Sequence, residues 1–175
     1  MARDGRQGDV LETVVYEQRF VPAGARVKRG VKTPFVVRVV AHAWRGRSID
    51  GALDAFVNGL VGDGEARVVA YVGHNGWMDR DTLAWPDKRA GKVRGFIAIA
   101  CLTRDYLQRA LSSEAQVPLL LTRDLLFAGS HALDGAITAF ARGGSAADIR
   151  LAASRVRGGR AQAARARAIA VHDLG

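Results

Sequence analysis

The run Phe96-Ile97-Ala98-Ile99-Ala100 presents no polar side chain on either side of a strand, and this constrains the fold more than any other feature of the chain. Successive strand residues point to opposite faces, so a strand of this composition has to be covered on both. Such strands belong to parallel sheets whose crossover helices lie above and below. Val68-Val69-Ala70-Tyr71-Val72 also reads as a buried strand, and the segment from Pro118 to Thr122 as a further strand. Phe35-Val36-Val37-Arg38-Val39-Val40-Ala41, which follows Pro34, also has the β-branched composition of a strand buried on both faces.

Helical stripes alternate with these runs. Ile49, Leu53, Phe56, Val57 and Leu60 fall on one face of a helix that Ser48 is placed to cap and Gly62-Asp63-Gly64 to end. Thr103 or Asp105 caps a helix bearing Tyr106, Leu107, Ala110 and Leu111. Ser130 to Ala141 forms another, with Leu133, Ile137 and Phe140 inward, and Ser145-Ala146-Ala147-Asp148 reads as a capping box opening a last helix through Val156. The alternation predicts an α/β fold, a three-layer sandwich around a mostly parallel sheet. Residues 1–33 are expected to form an N-terminal arm or edge hairpin, 34–157 the α/β domain, and 158–175 an Arg/Ala-rich tail.

The 175 residues, 49% of them hydrophobic, suffice for one domain with a substantial core. There is no stretch of eighteen apolar residues and no apolar run behind the basic residues near the amino terminus, which predicts a cytoplasmic protein without a membrane segment. A lone cysteine cannot form an internal disulfide, and a reducing compartment keeps it a thiol. The net charge of +9 raises nucleic acid as a partner, but 22 of the 26 basic residues are arginine in an alanine-rich chain, a pattern that coding bias produces unaided. Arg150, Arg155, Arg157, Arg160, Arg165 and Arg167 are therefore read as solvated, with nucleic-acid binding through the tail as the alternative.

Two of the apolar strands end in reactive side chains, His74 after Gly73 and Cys101 after Ala100. If the strands are parallel neighbours, their backbones lie about 5 Å apart, and both side chains reach one cleft at the carboxyl edge, where α/β sheets bind ligands. Attack on a peptide carbonyl requires thiolate, of which an ordinary cysteine holds only a few per cent at neutral pH. A helix beginning just after Cys101 favours the anion. A histidine delivers a proton to the leaving amine, and a glycine turn lets a backbone N–H approach the developing oxyanion.

This pairing of a strand ending in histidine before a glycine turn with one ending in Ala-Cys resembles the caspase-like cysteine peptidases, the group containing legumain, gingipain, clostripain and separase. The resemblance spans residues 35–142. It implies a caspase-like sandwich, a peptide or protein substrate and no cofactor, with Cys101 as nucleophile, His74 as general base or acid and Gly76 as donor to the oxyanion. The chain departs from the family in having Asn75 between His74 and Gly76, and in a His-to-Cys spacing of 27 residues where caspases have about 50. It also has Ile99-Ala100-Cys101-Leu102-Thr103 in place of Gln-Ala-Cys-Arg-Gly.

Around this dyad, Arg45, Arg47 and Trp77 are candidates for a substrate pocket, the arginines for an acidic residue. His42 also ends an apolar run and is read as bonding within its strand or a loop. Ser130 and His131, adjacent on a helix, do not face each other. Asp79, Asp81 and Asp87 share a loop with His74 but lack recurrent ligand spacing, so no metal is expected. Gly143-Gly144 has neither a P-loop lysine nor a dinucleotide fingerprint. The competing reading is an α/β module without activity that binds a protein or nucleic-acid partner.

Overall fold

Every residue of two strands, Arg94–Ile99 (β4) and Gln116–Leu121 (β5), is buried, and the fold is arranged to cover them. In the computed structural model, which describes residues 9–22, 25–28, 30–62, 64–79, 92–111, 115–125 and 130–155, β4 is the centre of a parallel sheet. It pairs with Val68–Val72 (β3) on one side and with β5 on the other.

The alternation Phe-Ile-Ala-Ile-Ala in β4 divides the core in two. Phe96, Ala98 and Ala100 face a layer made by helices Ile49–Val61 (α2) and Thr103–Leu111 (α3), where they meet Leu53, Phe56, Leu60, Leu107 and Leu111. Ile97 and Ile99 face the opposite layer, made by Ser130–Ala141 (α4) and Ala146–Ser154 (α5), with Ala136, Ile149 and Ala153. The α/β sandwich with a parallel sheet is thus formed as the strand composition requires. Gly95 owes its identity to the neighbouring strand: a register shift after Phe96 lets Leu119 lie over it, and a Cβ there would stand 2.8 Å from Leu119 Cγ. The buried Arg94 guanidinium ties the sheet to the end of α2. It donates to the Leu60 and Ala66 carbonyls at 3.1 Å each and also to that of Gly64.

The first apolar run behaves differently from the reading of it as a strand buried on both faces. Phe35–Trp44 (β2) does not join the parallel sheet. It pairs antiparallel with Val10–Phe20 (β1), and the short helix Ala25–Lys28 (α1) lies in the connection. Phe35, Val37 and Val39 are half-buried, while Val36 and Val40 remain 58% and 48% exposed. Among the described residues β2 has β1 as its strand partner, and α2, which follows it, packs on the β3–β4–β5 sheet instead. The hairpin also straddles the boundary expected between residues 33 and 34.

Its ends are fastened to the body. Asp9 accepts the Arg45 N–H through its backbone carbonyl (2.9 Å) and the Ser48 hydroxyl through its carboxylate (2.6 Å). Ser48 therefore stands at the cap position of α2, as expected, but spends its hydroxyl on the hairpin rather than on the helix. At the far end Arg26 donates to the Phe140 and Ala141 carbonyls, where α4 ends, and stacks on the Phe35 ring at 4.8 Å; a cation suits that negative helix terminus. The capping box of α5 forms as read, with Ser145 and Asp148 exchanging bonds, and the Ser145 hydroxyl and N–H hold the Asp148 carboxyl below its ordinary range. Asp81, Asp87, Arg157, Arg160, Arg165 and Arg167 lie outside the described residues.

Candidate active site

The register of the sheet is what places the two reactive residues. Val68 pairs with Gly95 and Val72 with Ile99, a constant offset of 27 residues. The same offset separates His74 from Cys101, so each lies two residues beyond the last pair of the ladder, Val72–Ile99. Ladder pairing runs on to Gly73, whose N–H donates to the Ile99 carbonyl at 3.2 Å. Beyond it, Asn75 crosses between the two strand ends: its buried side-chain amide donates to the Cys101 carbonyl and its Oδ1 accepts the Trp77 N–H at 3.1 Å. The asparagine that interrupts the family pattern is thus the residue that joins the histidine loop to the cysteine loop.

The histidine loop is held from beneath. Residues Gly76–Asp79 form one 3₁₀ turn, and Trp77, only 1% exposed, packs edge-on against Tyr71 and Phe56 at 5.3 and 5.8 Å. Tyr71 donates its hydroxyl to the His74 carbonyl at 2.6 Å; burial of its ring pushes the phenol up to about 12. The His74 imidazole itself is exposed, and its Nε2 lies 2.8 Å from Asp79 Oδ2.

Cys101 is half-buried on the turn from β4 into α3. The next residue, Leu102, has φ +52°, a left-handed conformation that costs a non-glycine residue about 1–2 kcal/mol. It persists because its neighbours over-determine it. The Leu102 N–H donates to the Asp124 carbonyl at 3.2 Å and the Arg104 N–H to that of Thr122 at 3.0 Å. The buried Thr103 hydroxyl donates to the Ala98 carbonyl and accepts the Thr122 N–H, both at 2.9 Å, and the Thr122 hydroxyl donates to the Ala100 carbonyl. Thr103 is therefore the first helical residue and a stitch across the strand ends, not the cap.

Other expected site residues fall elsewhere. The Gly76 N–H donates to the His74 carbonyl at 3.0 Å, so it is engaged within the turn rather than presented to an oxyanion. A glycine is required there by packing, since a Cβ would stand 2.9 Å from Leu53 Cδ1. Trp77 is a core residue, not a pocket wall. Arg45 and Arg47 are exposed around the turn that leads into α2, which borders the His74 loop because Ile49 and Leu53 pack under Gly76. His42 is exposed on the hairpin, its Nδ1 2.9 Å from the Thr13 hydroxyl across the ladder. Among the described residues no three His, Cys, Asp or Glu side chains gather as a metal-binding group, and no helix is long and apolar enough to cross a membrane.

Sequence reasoning missed Asn75 and Tyr71 as organisers of this edge and considered Asp79 only for a metal. The available signal was local: Asp79 follows His74 by five residues in a segment that a buried tryptophan anchors. No protein-family model matches the chain, and no curated protein or solved structure is significantly similar to it.

Proposed function

We propose that this protein is a cysteine hydrolase acting on peptide bonds, with Cys101 as nucleophile and His74 as its base and acid, in the manner of the caspase-like peptidases it resembles. One observation supports the reading: the only thiol of the chain and His74 each follow, by two residues, the last pair of the adjacent parallel strands β3 and β4. The held left-handed turn at Leu102 adds support, because backbone strain of this kind is concentrated at functional sites.

His74 takes the thiol proton as sulfur attacks the carbonyl carbon, and returns it to the amine as the C–N bond breaks. Water then attacks the thioester, giving its proton to His74 and releasing the carboxylic acid as the thiol reforms. The Gly76 N–H, engaged by the His74 carbonyl, is not assigned to the oxyanion. Arg45 and Arg47, bordering the loop, suit a substrate with a carboxylate near the scissile bond.

Because the chain has one cysteine, its alkylation reports on the site without a known substrate. In native protein, iodoacetamide is expected to react with Cys101 faster than with the unfolded chain at pH 7. His74→Ala should slow that reaction about tenfold or more and slow cleavage of a fluorogenic peptide library by about 10²–10⁴-fold. Alkylation indifferent to His74, with no turnover, would overturn the reading in favour of a module that binds without catalysis.

A further inference from the structure

The carboxylate of Asp79 touches the proposed base and no step described so far uses it. We propose that Asp79 is a positioning residue that holds His74 as its Nε2–H tautomer, so that Nδ1 is the nitrogen exchanging protons with Cys101 and the substrate. The inference rests on the cysteine-hydrolase reading above and deepens it from a dyad to three residues.

The contact is 2.8 Å between His74 Nε2 and Asp79 Oδ2, the length of a charge-assisted hydrogen bond. Both side chains are largely exposed, 61% and 67%, and pairs of that kind add little to stability. The meeting is nevertheless not left to two mobile side chains, because the backbone that carries both is fixed by buried residues. Trp77 lies two positions before Asp79 and is locked against Phe56 and Tyr71; the Asn75 carbonyl accepts the Met78 N–H at 3.0 Å; and the His74 carbonyl accepts from both Tyr71 and Gly76. The loop thus spends a buried asparagine, a buried tryptophan and a tyrosine hydroxyl on presenting one imidazole and one carboxylate to each other.

The protonic consequence is specific. A carboxylate only accepts, so Nε2 carries the hydrogen and the lone pair is on Nδ1. When the thiol proton moves to Nδ1, sulfur becomes thiolate and the ring imidazolium, whose charge Asp79 stabilises through Nε2–H while itself staying ionised. The proton leaves again from Nδ1 to the departing amine, and Asp79 neither gains nor loses one.

Three substitutions test this in the full chain. Asp79→Asn keeps the shape but offers an amide N–H to Nε2. It should shift the long-range ¹H–¹⁵N correlations of His74 towards the Nδ1–H form and slow Cys101 alkylation and peptide turnover by about tenfold or more. Asp79→Glu should recover much of the lost rate, and Asp79→Ala should lose it with an unchanged melting temperature. If His74→Ala slows the thiol while Asp79→Asn leaves both rate and tautomer within twofold of wild type, the inference is overturned and the dyad stands. If His74→Ala is also without effect, the cysteine-hydrolase reading fails and the inference with it.

Discussion

The β1–β2 hairpin and the β3–β4–β5 sheet are built from similar residues and reach opposite fates. Phe35-Val36-Val37-Arg38-Val39-Val40 is more β-branched than Phe96-Ile97-Ala98-Ile99-Ala100, yet it is left with Val36 and Val40 in solvent while the other is buried throughout. Composition selected a strand in both cases. Whether a strand is covered depends on what packs on its faces, and β4 lies between two parallel partners with α2 and α3 on one face and α4 and α5 on the other. β2 pairs antiparallel with β1, and the short helix α1 in their connection leaves Val36 and Val40 exposed.

Substitutions can break this comparison, beginning with the largest effect. Phe96→Ala should destabilise the protein by about 3–5 kcal/mol, because the cavity lies between α2 and the sheet and cannot fill with water; chemical denaturation measures it. If the loss is below about 1 kcal/mol, the two regions differ less than their burial says. Tyr71 supplies the next effect. Its folded value of about 12 lies above the ordinary 10, so the unfolded chain ionises first. The associated stability is complete below pH 10 and lost as pH rises to 12. With about 1.4 kcal/mol per unit, Tyr71→Phe should remove on the order of 2–3 kcal/mol of that alkaline loss, seen in denaturation curves at pH 9 and 12.

Smaller effects sharpen the contrast. Gly95→Ala forces a methyl against buried Leu119 and should cost about 1–3 kcal/mol, with part recovered by pairing it with Leu119→Ala. Val36→Ala and Val40→Ala on the exposed face of the hairpin should each change stability by no more than about 0.5 kcal/mol. A hairpin valine costing as much as Phe96 would mean that this face is covered in solution.

The elements were readable because each has a local cause. The period of the apolar stripe marks α2, α3 and α4, the Ser145–Asp148 pair marks the start of α5, and unbroken apolar runs mark β3, β4 and β5. The candidate site was proposed in part from the sequence. Strand ends carrying His74 and Cys101 stand out in a chain with a single cysteine, whereas Asn75, Asp79 and Tyr71 act through contacts that depend on how a six-residue loop folds over α2. A polar residue in a loop has no periodicity to give it away. Trp77 was misplaced for a related reason, since an aromatic residue among glycine and charges looks exposed until the turn closes it against Phe56.

By itself the sequence determined which segments from Phe35 onward become strands and helices, that β4 is buried, and that His74 and Cys101 are separated by 27 residues, because propensity and patterning act over a few neighbours. Only the tertiary structure decided that β2 leaves the parallel sheet, that the 27-residue spacing equals the β3–β4 register, and that Asp79 rather than Gly76 completes the surroundings of the histidine. Those outcomes depend on pairings between residues distant along the chain, and local physical chemistry constrains such pairings without choosing among them.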